Sequence, residues 1–192
     1  MPGNKLPNSR GGAAQKYITT PLAGRQHQQF HTTAVGHQLE MRLLHSANRI
    51  LRDFPNRAPR YAILSHTWDV EEVSFDDMRS GLAPSLKGYI KVLGACNQAL
   101  LDGYEWVWID TCCIDKSSST ELQEAINSMF EWYRKADACY VYLTDVPESN
   151  AGWDDQFGSS RWWSRGWTLR KWANFRRTNP HVDDSLILRV SV

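Results

Sequence analysis

The chain has 192 residues, of which 42% are hydrophobic and 22% charged, and its formal net charge is +1. This length fits one domain with a tail, and the apolar share is enough for a sizeable core. The balanced charge creates no field that would attract nucleic acid or an anionic membrane. No apolar run approaches the roughly 18 residues of a membrane span, and no signal-peptide core begins the chain. These features predict a cytoplasmic protein with no nucleic-acid or membrane partner.

The first 40 residues differ in composition from the rest of the chain. They are rich in Gly, Gln, His, Thr and Arg, contain a single acidic residue, Glu40, and show no periodicity. Such a segment buries too little apolar surface to offset the entropy cost of ordering, so we expect residues 1–40 to be a disordered extension. A mitochondrial presequence is a weaker interpretation, since the segment is basic but forms no clear amphipathic face.

Strands and helices are predicted to alternate from near Met41 onward. Short apolar runs rich in aromatic and β-branched residues predict strands. Apolar residues spaced three or four apart predict helices. The predicted strands are 61–65, 104–110 and 138–143, and the predicted helices are 87–102 and 121–136.

The ends of both predicted helices have recognisable signals. Gly103 stands where a helix C-terminus favours glycine. Two overlapping capping-box patterns precede the second helix, Ser118 with Glu121 and Thr120 with Gln123. In such a box the first side chain accepts a bond from the backbone of the third helical residue. The second helix is therefore expected to begin between residues 118 and 121.

The alternation of strands and helices predicts an α/β fold, with a parallel sheet built by right-handed βαβ crossovers. Ligands of such sheets bind beyond the carboxyl ends of the strands. Polar and aromatic residues follow all three predicted strands at that edge. The candidate ligand-edge residues are Ser65, Trp68, Asp110, Asp115 and Asp145.

The four cysteines are predicted to be reduced, buried thiols. A structural zinc site uses paired spacings such as CxxC, and the adjacent Cys112 and Cys113 do not have that spacing. No metal site is therefore expected. Cys96 and Cys139 fall within a predicted helix and strand, where a small apolar side chain packs well. A catalytic dyad of Cys112 or Cys113 with His66 is a weaker alternative, because no motif brings them together.

The acidic residues around the second strand have both structural and functional interpretations. No glycine-rich phosphate-binding motif occurs in the chain. Asp110 and Asp115 could act on a ribose or a proton, yet aspartate also favours turns because it bonds nearby backbone amides. Glu121 has the same ambiguity, since its place in a capping box is a full structural explanation.

Several blocks of the sequence resemble, in the same order, the fungal heterokaryon incompatibility (HET) domain. The resemblance covers about residues 41–169, roughly two-thirds of the chain. The segment MRLLHSANRILRDF is similar to the usual opening of the family. The further matching blocks are YAILSHTW, EEVSFDDM, KGYIKVLGACNQAL, YEWVWIDTCCIDKSSSTELQEAINSMFEWYRKADACYVYL and SRWWSRGWTL.

The resemblance implies a module for self/non-self recognition that triggers programmed cell death when unlike hyphae fuse. Its partners would be other incompatibility proteins, or copies of itself. The family is regarded as a distant relative of TIR domains, which implies a TIR-like three-layer architecture. Because some TIR domains cleave NAD, the resemblance also implies NAD as a substrate and a NAD-cleaving hydrolase as an alternative function. No cofactor is otherwise implied.

The chain departs from the family pattern near its C-terminus. The family's Gln-Glu-Leu after the Trp-Thr-Leu block is replaced by Arg170, Lys171 and Trp172. Lysine cannot stabilise positive charge as a carboxylate does, so the resemblance implies that the hydrolase is inactive as written. If it were active, Glu121 would be the first candidate for the missing carboxylate. Residues 170–192 are then a divergent tail, produced by an altered reading frame or by truncation to an inert copy.

Both ends of the chain thus have a second explanation. Met41 coincides with the usual start of the family, so residues 1–40 are also explained as an artefact of gene prediction. Residues 161–192 hold seven Lys or Arg against two Asp. They contain no recognisable element for reading nucleic acid.

Overall fold

The computed structural model describes residues 41–146, 158–164 and 166. The strands are β1 (Met41–His45), β2 (Leu51–Phe54), β3 (Tyr61–His66), β4 (Trp106–Trp108) and β5 (Ala138–Tyr142). The helices are α1 (Phe75–Ser80), α2 (Tyr89–Leu101), α3 (Ser119–Lys135) and the short α4 (Arg161–Ser164), with a 3₁₀ turn at Ala83–Ser85. The predictions for residues 1–40 and 170–192 lie outside the described residues.

Five strands form one mixed sheet in the order β2-β1-β4-β3-β5. Strand β3 pairs in parallel with both β4 and β5, which confirms the predicted βαβ arrangement of these three strands. The predicted parallel sheet forms only part of a mixed sheet, because β1 pairs antiparallel with both β2 and β4. The fold class is α/β, with an antiparallel hairpin added along one side of the parallel strands.

The hairpin β1–β2 had no counterpart in the sequence prediction. Each strand has only four or five residues, and charged residues interrupt its apolar pattern. Its turn is stabilised locally, since Asn48 Oδ1 accepts from the Ile50 amide at 3.1 Å. Arg49 adopts a left-handed φ of 59° in this turn. What makes this segment a strand is its pairing with β4, in which Leu44 lies opposite Val107.

The two long helices lie on opposite faces of the sheet. Ile63 pairs with both Trp108 and Cys139, so these side chains share one face. Trp108 contacts the Trp132 ring of α3 there, with ring centroids 5.4 Å apart. The neighbouring Tyr140 points to the other face, where its hydroxyl donates to Asp102 Oδ2 at the end of α2 at 3.0 Å. The sheet is therefore covered on both sides.

The predicted helix ends agree with the structure to within two residues. Gly103 follows α2 with a φ of 79°, a left-handed conformation that glycine adopts without strain. Ser118 is the N-cap of α3, and its Oγ accepts from the Glu121 amide at 3.3 Å. The second pattern, Thr120 with Gln123, lies inside the helix. The short helix α1 was missed, although Ser74 and Asp77 form a complete capping box there.

The core is built around the sheet and is rich in aromatic rings. Four of the six described tryptophans are buried, namely Trp106, Trp108, Trp132 and Trp162. Trp163 is partly buried, and Trp68 is 45% exposed. Two buried tyrosine hydroxyls form hydrogen bonds between α3 and β3. The Tyr133 hydroxyl donates to the Leu64 carbonyl at 2.9 Å, and the Tyr61 hydroxyl donates to the Trp132 carbonyl at 2.6 Å.

Candidate functional site at the carboxyl edge of the sheet

A switch point lies between the carboxyl ends of β3 and β4. The two strands are adjacent and parallel, yet the chain leaves β3 toward α2 on one face and leaves β4 toward α3 on the other. Connections that diverge in this way open a crevice at the sheet edge, which is where ligands of α/β folds bind. His66 ends β3 and Asp110 follows β4, so both lie at this crevice.

His66 and Asp110 form a buried pair. His66 Nε2 lies 2.9 Å from Asp110 Oδ1, and their side chains are 1% and 6% exposed. The Trp68 indole donates to the same Asp110 oxygen at 3.3 Å. The Lys116 ammonium lies 3.9 Å from the centroid of the Trp68 ring, a cation–π contact. Two predicted edge residues, Trp68 and Asp110, are therefore in direct contact.

An ion network centred on Lys91 adjoins this pair. The Lys91 side chain is only 5% exposed. Its ammonium donates to the Thr67 carbonyl at 3.1 Å, to Asp69 Oδ2 at 3.0 Å and to the Glu72 carboxylate. Glu72 Oε2 also lies 4.0 Å from His66 Nδ1. A buried ammonium needs such partners, because leaving water costs a charged group several kcal/mol.

Asp69 is held ionised by this network. Partial burial acts to raise its pKa, but bonds from Arg161 and Lys91 outweigh burial and lower the pKa to about 2. Thr144 Oγ1 also donates to Asp69, at 3.3 Å. Asp69 thereby joins the loop after β3 to α2, to the end of β5 and to α4.

Asp145 binds the segment that contains α4. Its Oδ1 accepts from Ser160 Oγ and its Oδ2 from the Arg161 amide, both at 2.7 Å. Burial opposes ionisation here too, yet the two hydrogen bonds hold the pKa of Asp145 below its usual value. This predicted edge residue lies at the carboxyl end of β5 and is linked to the Asp69 network through Arg161.

Ser65 and Asp115 do not join the crevice contacts. Ser65 is buried and lies beside the Tyr133 hydroxyl, on the face opposite His66. Asp115 lies in the turn before α3, where its Oδ1 accepts from the Ser117 amide at 2.9 Å and the Ser117 hydroxyl at 2.6 Å. These bonds from Ser117 lower its pKa. They are the contacts of an ordinary aspartate turn.

Glu121 lies in a separate pocket of about 200 Å³. Its carboxylate accepts from Arg42 at 2.8 Å and from the Asp115 amide at 2.7 Å. The second half of the predicted capping box, a bond from Glu121 back to the N-cap amide, is replaced by these contacts. The pocket is lined by Arg42, Asp53, Cys113, Ile114, Ser118, Thr120, Glu121, Glu124, Ala125 and Trp132.

The cysteines are free, buried thiols, as predicted. A hydrogen bond that the Cys112 thiol donates to Cys113, together with burial, raises the pKa of Cys112 well above its usual value. Burial raises the pKa of Cys96 to about 12. A nucleophile must be a thiolate, which these environments oppose. His66 contacts Asp110 rather than a cysteine, so the structure offers no support for the Cys–His dyad.

Sequence reasoning missed several of the residues that build this edge, chiefly Lys91, Asp69 and Glu72. Lys91 had a signal, since it lies four residues before Ala95 on the buried face of α2. A charged residue on an apolar helix face predicts a buried ion pair. Asp69 and Glu72 had no such signal, because their loop has no periodic pattern.

Neither a metal-binding cluster nor a membrane-spanning helix occurs in the described ranges. Within residues 41–146, 158–164 and 166, no group of three His, Cys, Asp or Glu side chains could hold a metal ion. None of the helices in the part of the chain that the structure describes has the length and apolar character to cross a membrane.

Comparison with known proteins finds that part of the α/β unit is similar to the HET domain. Residues 61–152 match the family model "Heterokaryon incompatibility protein (HET)". This range contains β3, β4, β5, the two long helices and the whole switch point. This match confirms the resemblance to the heterokaryon incompatibility family that the order of the sequence blocks indicates.

A curated relative supports the same assignment. Over 132 residues the chain is 52% identical to the "Vegetative incompatibility protein HET-E-1" of Podospora anserina. The aligned region is 64% of this chain and 10% of the relative. The chain thus spans about a tenth of the length of the curated protein it matches. No solved structure shows a significant match.

Proposed function

We propose that this chain is a signalling module of vegetative incompatibility, which contributes to self/non-self recognition and programmed cell death in a fungus. The observation that carries the proposal is the 52% identity with a vegetative incompatibility protein. At that identity the two domains share a fold, and the aligned length is greater than the family match of residues 61–152. The cytoplasm is the proposed location.

The contacts at the carboxyl edge favour binding over catalysis. The charged groups at the crevice already have partners within the domain, since Lys91 is bonded to Asp69 and Glu72. Asp110 is bonded to His66. Such a network makes a stable, charged surface. We therefore propose that the domain acts through other incompatibility proteins or by self-association, and not through nucleic acid. The TIR-like architecture stays part of this proposal, supported by the helices on both faces of the sheet.

Induced expression of the full chain in a filamentous fungus tests the proposal. We expect growth arrest and uptake of a viability dye within hours of induction. The control is Trp108→Ala at equal transcript level, which removes the largest fully buried side chain of the sheet. A second variant changes Arg170, Lys171 and Trp172 to Gln, Glu and Leu. If the unmodified chain and this second variant both accumulate as folded protein without harm to growth, the proposal is wrong.

A second candidate function is NAD cleavage, by a domain with a TIR-like fold. The observation that favours it is the position of Glu121, whose carboxylate lines the pocket of about 200 Å³. The bonds from Arg42 and from the Asp115 amide oppose it, since they engage that carboxylate in a structural role. Lys171, the other position concerned, lies outside the described residues.

Incubation with NAD separates the two candidates. The purified full chain, Lys171→Glu and Glu121→Gln are compared for loss of NAD by chromatography. Turnover by Lys171→Glu alone would mean that this copy is an enzyme that lost its carboxylate. Turnover by the unmodified chain that Glu121→Gln abolishes, with stability unchanged, would make Glu121 the catalytic residue. If no protein consumes NAD while circular dichroism shows all three folded, the enzymatic candidate is excluded.

A further inference from the structure

The segment 158–164 occupies the carboxyl edge in the way that a bound peptide would. We call these seven residues the C-terminal clasp. The Arg161 guanidinium pairs with Asp69, and the Arg161 amide donates to Asp145 Oδ2 at 2.7 Å. The Ser160 hydroxyl donates to the other Asp145 oxygen, at 2.7 Å. The contacts thus combine a charged side chain, a hydroxyl and a backbone amide.

Burial of one aromatic ring anchors the clasp. Trp162 is 1% exposed, whereas Arg161 before it and Ser164 after it are exposed. A tryptophan buries 150–250 Å² and commonly dominates the energetics of an interface. A buried tryptophan beside an arginine, inside a shell of hydrogen bonds, is the composition typical of an interface hot spot.

The receiving surface is charged to match the clasp. Asp69 and Asp145 are both held ionised, and they come from two different strand ends, after β3 and after β5. If the clasp left, Asp69 would keep Lys91 as a partner, but Asp145 would lose both hydrogen bonds that the clasp donates to it. The vacated surface would be acidic and would favour an arginine-bearing ligand.

We propose that Asp69 and Asp145 form a docking surface for short Ser-Arg-Trp segments, which the chain's own clasp occupies. The partner that fits is a peptide segment with an arginine next to a tryptophan. Binding in trans requires release of the clasp, so the intramolecular contact is autoinhibitory. The proposal rests on these contacts alone and does not depend on the domain signalling incompatibility.

The test uses a fluorescein-labelled peptide with the sequence of residues 158–164, GSSRWWS, with blocked ends. It is titrated into the full chain and into the double variant Arg161→Ser/Trp162→Ala, whose clasp is disabled. Because a tethered segment competes at millimolar effective concentration, we expect the unmodified chain to bind the peptide at least about tenfold more weakly than the variant. Adding Asp145→Asn to the double variant should abolish most of the binding.

Arg60→Ala is the matched control. Arg60 also forms an exposed ion pair, with Asp137 Oδ2 at 2.5 Å, but at the opposite ends of β3 and β5. It should leave peptide binding equal to that of the unmodified chain. Equal affinity of the unmodified chain and the double variant would overturn the proposal, as would absence of binding to a double variant that circular dichroism shows to be folded.

If the double variant does not fold, hydrogen exchange of the unmodified chain against Arg161→Glu decides the matter. Charge reversal should speed exchange of the Arg161 and Trp162 amides at least about tenfold. The β4 and β5 amides should keep their protection, because only the clasp opens. Unchanged exchange of the clasp amides, or an equal rise throughout the sheet, would show that residues 158–164 are an integral part of the fold and no separable ligand.

Discussion

Replacing Lys91 with methionine tests the buried ion network in depth. Methionine keeps most of the apolar stem of lysine and is a similarly good helix former. The substitution therefore removes the charged ammonium group and changes little else in the side chain. It leaves Glu72, 14% exposed, without its cation, while Asp69 keeps Arg161. Removing one partner of a buried pair costs about 3–5 kcal/mol, because the other charge stays desolvated. Because the Asp69 and Glu72 carboxylates are partly exposed, we expect the lower end of this range, a loss of about 3 kcal/mol in the free energy of unfolding.

The assay is urea unfolding followed by the fluorescence of the nine tryptophans. With a slope of about 2 kcal/mol per M, the midpoint should fall by about 1.5 M. Lys87→Met is the matched control just before the same helix, because Lys87 pairs with Glu71 at 3.1 Å with both side chains exposed. Exposed pairs are worth about 0.2–1 kcal/mol, so this control should hardly shift the midpoint.

A second substitution checks the physical cause. In Lys91→Met/Glu72→Gln the stranded carboxylate is neutral, and removing both charges of a buried pair is often close to neutral. We expect the double variant to recover at least half of the lost stability. If Lys91→Met shifts the midpoint no more than Lys87→Met does, the network contributes nothing and the reasoning from burial fails.

Three further predictions concern the α3 cap, the thiols and the response to acid. Ser118→Ala should lower the free energy of unfolding by about 1 kcal/mol because the Glu121 amide loses its acceptor. The control Thr120→Ala should lower this free energy by less than half as much. Equal effects of the two substitutions in thermal melts would contradict the cap assignment. Cys112 should not react with a maleimide at pH 8 until urea unfolds the chain, because its raised pKa and burial both oppose thiolate formation. Rapid labelling of Cys112 in the native chain, measured by mass spectrometry, would refute this prediction. Asp69 has a folded pKa of about 2 against an ordinary value of 3.8, so the stability that its carboxylate contributes is present above pH 3.8 and is lost as pH falls through about 2. Asp69→Asn should therefore flatten the plot of unfolding free energy against pH in this range. An unchanged plot would show that Asp69 does not cause the loss of stability in acid.

The sequence alone predicted those elements whose pattern is set by local chemistry. The periodic apolar residues of α2 and α3, the Ser118 cap and the stop at Gly103 all appear where predicted, because caps and helix faces depend on neighbours within one or two turns. The burial of the cysteines followed from the same patterns. Trp68 and Asp110 lie together at the carboxyl edge, because parallel strands carry their ends to the same side, and their role as ligand-binding residues stays a prediction.

The pattern of residues along the sequence did not predict contacts between distant parts of the chain. The β1–β2 hairpin is too short to show a period, and it becomes a sheet edge only through pairing with β4. Glu121 had a complete local explanation, yet its carboxylate bonds to Arg42, which is 79 residues away. Ser65 precedes His66, but strand alternation sends their side chains to opposite faces.

What the sequence by itself determined is the resemblance to the HET family and the order of β3, α2, β4, α3 and β5, because both depend on local residue types. Only the tertiary structure decided which charges meet. Lys91, Asp69 and Arg161 come from three separate segments, and a buried ammonium is stable only where folding brings carboxylates to it. The energy of such a site depends on burial and distance, and neither is defined until the chain has folded.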